Sequence, residues 1–144
     1  MFDSLFASKN KKLALKLQKE HKHLVKLVES ILKAYEDDDK KRLYKYLSEL
    51  KNVALTHLMT EDVEFYRLIK DSKRSTAEIA EYVHEFEKSF GGIKLALIDF
   101  LDIYTAENAL YDHEFIEKFQ TIVKVLQGRI EFEETRLYKA LLAS

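Results

Sequence analysis

The amino-acid sequence predicts an all-α fold: an antiparallel up-down-up-down bundle of four helices, in a single domain over residues 1–144. Three observations carry this reading. The chain has no proline and three glycines, so little interrupts a helical hydrogen-bond ladder and little supplies the turns of a sheet. Apolar residues step by three and four through four long stretches, which is the period of one helix face. Short polar links separate the stretches, and short links make successive helices antiparallel neighbours. A chain of this length buries roughly 68% of its unfolded surface, and 47% of its residues are hydrophobic, so one core is expected.

The first helix runs from about Lys9 to Tyr35, with Ala14, Leu17, His21, Leu24, Val28, Ile31 and Tyr35 on its stripe. His23, two positions from His21, belongs to a different face and is expected in solvent. Met1 to Ser8 is read as a short amphipathic arm covering a bundle end. Asp37-Asp38-Asp39 supplies turn and capping chemistry. The second helix, about Lys40 to Lys70, carries Leu43, Leu47, Leu50, Ala54, His57, Glu61, Phe65 and Leu68. Ser75-Thr76-Ala77-Glu78 has the spacing of a capping box and opens a third helix that runs to about Asn108. Its stripe includes Ile93, Leu97, Leu101 and Tyr104, His84 borders that stripe, and Gly91-Gly92 is read as a local bend. Asp112 is a cap for the fourth helix, which continues to Leu142 with Phe115, Phe119, Ile122, Leu126, Arg129 or Ile130, Glu133, Leu137 and Leu141 inward. His113, at its start, is read as a surface residue.

Composition excludes several function classes. Lysine plus arginine number 24 against 25 aspartates and glutamates, a net charge of −1, so no global field favours nucleic acid or an anionic membrane. The absence of cysteine removes disulfides, thiolate metal sites and thiol catalysis. Neither a signal peptide nor an apolar run of about 18 residues is present, so a soluble cytoplasmic protein is expected. No phosphate-cradling glycine loop and no nucleophile arrangement stands out, so no enzymatic activity is expected.

The chemistry concentrates on His57 and Glu61, four residues apart on an apolar helix face. Ionisable groups there need each other, a third partner or a metal. Half the chain later, Arg129-Ile130-Glu131-Phe132-Glu133-Glu134 repeats the pattern of His57-Leu58-Met59-Thr60-Glu61-Asp62, with arginine in place of histidine. The echo looks like a duplicated helical hairpin.

A histidine on helix one, His-x-x-x-Glu on helix two, a histidine on helix three and a carboxylate on helix four together resemble the hemerythrin-like cation-binding domains over nearly the whole chain. That resemblance implies a hemerythrin-like bundle with iron at its centre, a bridged pair in the family, used for oxygen binding or for iron and redox sensing. The implied ligands are His21, His57, Glu61, His84 and Glu133. Arg129 departs from the pattern where a histidine is expected, and Lys88 stands four residues past His84. Five ligands suit a mononuclear or a sparse di-iron site completed by water or a small exogenous ligand. Arg129, whose guanidinium only donates, would modulate the charge beside the ions or bind an anion there.

A metal-free reading stays open beside this one. Arg129 would bridge to Glu133 or Glu61, with His21 and His57 in a buried hydrogen-bonded network and no cofactor. The stretch from Arg129 to Glu134, with His21-Lys22-His23-Leu24, also faintly resembles bacterial regulators that bind a sigma factor. The implied alternative is a helical interaction protein that touches transcription through a protein partner.

Overall fold

The computed structural model describes residues 2–60, 77, 81, 84, 85, 88 and 92–138. The architecture is an all-α bundle, and no strand occurs among the described residues. Helix α1 spans Phe2–Glu36, α2 Lys40–Thr60, α3 Ile93–Tyr104 and α4 His113–Phe132, the last continued by a π-helical turn at Glu133–Leu137. Ala77, Glu81, His84, Glu85 and Lys88 are also helical, and exposed. The expected ends of the second and fourth helices, at Lys70 and Leu142, lie outside the described residues.

Side-chain pairs give the directions of the helices. His23 meets Glu49 while the earlier Glu20 meets the later His57, so α1 and α2 are antiparallel. Tyr35 reaches the Asp112 carbonyl at the start of α4 while His21 reaches Glu134 beyond its end, so α1 and α4 are antiparallel as well. Lys51 Nζ ties α2 to α3 through Asp102 at 2.8 Å. Helix α3 packs on α4, and α4 returns to α1 to close the bundle.

The α1–α2 turn works as its aspartates suggest. Asp38 takes the left-handed conformation at φ 53°, which a short polar side chain tolerates better than most. Asp39 then caps α2, its Oδ1 accepting from the Arg42 amide at 3.1 Å. Gly92, in a turn, immediately precedes α3; Gly91, with which a local bend is expected, lies outside the described residues. Helix α3 stops four residues before Asn108. The Tyr111 hydroxyl donates to the Tyr104 carbonyl at 2.8 Å, and Thr105 sends both its amide and its hydroxyl to the Leu101 carbonyl, at 2.9 and 2.6 Å. Those last acceptors are thus satisfied without another helical turn. The N-terminal arm is also revised, since the backbone from Phe2 onward is continuous with α1.

Asp112 caps α4, its Oδ1 accepting from the Phe115 amide at 3.1 Å. Asp112→Ala is expected to lower stability by about 1 kcal/mol, read as a shift in the urea unfolding midpoint with an unchanged slope. The core below it is aromatic. Phe115 is fully buried and meets Tyr104 at 4.9 Å, Tyr111 at 5.1 Å, and Phe100 and Phe119 at 5.8 and 5.9 Å between ring centroids. Leu43, Leu47, Leu50, Leu97 and Leu101 continue the core from α2 and α3. Further along, the buried residues turn polar: His21, His57, Arg129 and Glu133. The bundle therefore has an aromatic half and an ionisable half.

Candidate metal centre

Three helical segments each contribute one donor. His21 comes from α1, His57 from α2 and Glu133 from the first position of the π turn. All three are buried, and one ligand atom from each lies within 4.8 Å of the others. The two imidazoles meet edge to face with centroids 4.6 Å apart, and His21 Nε2 is 3.5 Å from Glu133 Oε1.

Each ring is held from behind by a carboxylate. His57 Nδ1 is 3.0 Å from Glu20 Oε2, and His21 Nδ1 is 3.2 Å from Glu134 Oε1. An ionised carboxylate only accepts, so in both rings Nδ1 carries the proton and donates it. In a neutral imidazole this leaves the Nε2 lone pair as the ligand atom, the arrangement by which outer carboxylates fix the tautomer and raise the basicity of metal-binding histidines. His21 Nε2 then stands 3.5 Å from Glu133 Oε1, two atoms that could serve one cation. Tyr138, fully buried, stacks on His21 at 5.9 Å and 12° between planes, which restricts the ring further. Two nitrogens and an oxygen suit iron, manganese or zinc, so the residues present fit a metal ion.

The π turn places the fourth-helix contribution. The Tyr138 amide bonds the Glu133 carbonyl five residues back, so Tyr138 sits one wide turn above Glu133. The structure buries Tyr138 here, because the wide turn absorbs one extra residue; the side chain of Leu137, which the sequence stripe put inward, lies outside the described residues.

Arg129 resolves the choice between itself and Ile130, being 4% exposed while Ile130 is half-buried. Its Nε stands 3.9 Å from Glu133 Oε1. His84 is not brought to the group. It is exposed, and its neighbour Glu85 makes the reach across to Arg136 at 3.3 Å. A histidine bordering an apolar stripe has no phase to spare, and this one falls on the solvent side. Glu61 lies outside the described residues. His23 and His113 are exposed beside Glu49 and Glu117, as expected of surface residues.

Sequence reasoning missed Glu20, Glu134 and Tyr138. Adjacent positions on a helix differ by about 100°, so the neighbours of His21 and Glu133 read as solvent-facing. The available signal was an acidic residue directly beside His21 and directly beside Glu133.

A cavity of about 190 Å³ adjoins the donors. Leu24, Leu50, Ala54, Leu97 and Leu126 form its inner wall, His57, Arg129 and Glu133 line its polar part, and the exposed Val25, Glu29 and Gln127 mark its mouth between α1 and α4.

Residues 14–141 match the family described as the hemerythrin HHE cation binding domain. The chain belongs to that family. His21, His57, Arg129 and Glu133 all fall within the matched span, so this hemerythrin-type domain carries a buried histidine–carboxylate group whose donors could hold a metal ion. No curated protein and no solved structure matches the chain. No described helix of this hemerythrin-type chain is long and apolar enough to cross a membrane.

Proposed function

We propose that the protein holds iron at His21, His57 and Glu133 and serves as a non-enzymatic oxygen, iron or redox sensor. The observation that carries this is the pair of carboxylate-tethered imidazoles: Glu20 and Glu134 orient both rings beside a buried carboxylate, with one ligand atom of each donor within 4.8 Å of the others. Glu61, four positions after His57, is the donor the sequence adds, and water or a small exogenous ligand would complete the coordination. His84, being exposed, is left out.

Iron would supply the redox change and the affinity for oxygen. The chain orients the donors through Glu20, Glu134 and Tyr138 and leaves a small apolar space beside them. An engineered apolar cavity of about 150 Å³ admits benzene or xenon, so the cavity here, about 190 Å³, has room for a small neutral molecule. Arg129 weakens the grip on any cation. At about 5 Å and an effective dielectric of about 20, each unit of like charge costs about 3 kcal/mol, part of which Glu133 offsets.

The test is metal analysis of protein purified without an affinity tag or chelator and reconstituted anaerobically with ferrous iron. Stoichiometric iron is expected, with thermal unfolding shifted upward. Free metal at 100 times its dissociation constant adds about 2.7 kcal/mol of stability. His57→Ala is expected to lose both the iron and the shift. Negligible metal with an unmoved unfolding curve overturns the proposal and leaves a helical interaction protein.

A further inference from the structure

The metal reading leaves open how many ions the centre takes, and Glu133 bears on this directly. Its Oε1 faces two nitrogens at similar distances, His21 Nε2 at 3.5 Å and Arg129 Nε at 3.9 Å. The first can be a ligand. The second cannot, because a guanidinium has no lone pair to give and does not lose its proton in a protein. Both Arg129 and Glu133 are buried, and one helical turn brings them to the same oxygen.

Two-metal sites hold their ions about 3.5–4 Å apart, commonly with a carboxylate between them. A second ion sharing Glu133 would have to settle next to the guanidinium charge, in surroundings that screen it little. We propose that Arg129 is a built-in cation that stands in for a second metal ion, so that the centre loads one divalent ion per chain and no more. The inference rests on the metal reading above. It also accounts for a buried carboxylate in the metal-free bundle, since the arginine accompanies Glu133 whether or not a metal is bound.

The experiment titrates manganous ion into the metal-free full chain, with bound metal per chain measured after desalting and the electron paramagnetic resonance spectrum recorded. One ion per chain with the six-line signal of an isolated ion is expected. Arg129→Gln removes the like charge and is expected to tighten the first ion by on the order of tenfold or more; Arg129→Lys keeps the charge and is expected to bind one ion within a few-fold of the unaltered chain. Arg129→His, which replaces the charge by a ligand, is expected to raise the stoichiometry to two, with a broadened, exchange-coupled signal. Circular dichroism verifies that each variant is helical.

Two coupled ions in the unaltered chain would overturn the inference while upholding the metal reading. No ion at all would overturn both. An Arg129→Gln protein that is folded yet binds the first ion no more tightly would show that the arginine's charge does not limit the site.

Discussion

Glu133→Ala is expected to destabilise the metal-free protein by about 3–5 kcal/mol, and to abolish metal binding. The size follows from what surrounds the carboxylate. Glu133 is fully buried beside Arg129, and removing one member of a buried charged pair leaves the other in a low-dielectric interior whose cost its partner no longer offsets. A stable domain has only about 5–15 kcal/mol in all, so this one change consumes a large share of it. Urea unfolding of the metal-free variant measures the loss. Glu133→Gln keeps the volume and an acceptor oxygen, and is expected to lose less stability while losing the metal equally. If the alanine variant unfolds at the same urea concentration as the unaltered protein, the buried pair contributes nothing and the polar half of the bundle has been misread.

Phe115→Ala is expected to cost a similar amount, about 3–5 kcal/mol, for a different reason and with a different signature. The ring is fully buried and is surrounded by Phe100, Tyr104, Tyr111 and Phe119, all positioned by α3, α4 and the link between them. Removing it opens a cavity that these four packed rings cannot collapse to fill. Its layer is that of Tyr35, a contact at 5.9 Å, and Tyr35 lies 14 residues along α1 from His21, about 20 Å at 1.5 Å per residue. Changes so far apart act independently. Metal affinity, measured calorimetrically on the folded variant, is therefore expected to stay the same. The two substitutions separate the halves of the bundle: one removes stability and metal together, the other stability alone.

Most of the fold was legible because its signals are local and repeat. Ala14, Leu17, Leu24 and Ile31 on α1, and Leu43, Leu47, Leu50 and Ala54 on α2, are buried as their three-and-four spacing requires. Asp39 and Asp112 cap the helices they precede, since a cap is decided within three residues of itself. His21, His57 and Glu133 were legible as polar residues on apolar stripes. The carboxylates behind the rings were not, because Glu20 serves a histidine on another helix and Glu134 does the same from the far end of the chain. Pairings of that kind depend on how helices rotate against each other, which periodicity does not encode. His84 went astray for the related reason that a stripe's edge has no defined side.

The wide turn after Phe132 has a consequence for the internal echo. In sequence, His57 to Glu61 and Arg129 to Glu133 keep the same four-residue step, and after Glu133 the next layer arrives five residues on, at Tyr138. The last stretch of α4 is thus a phase slip. Laid over a regular α-helix without a gap, position 138 would turn away from the layer of Glu133, and the aromatic ring stacked on His21 would vanish from the comparison.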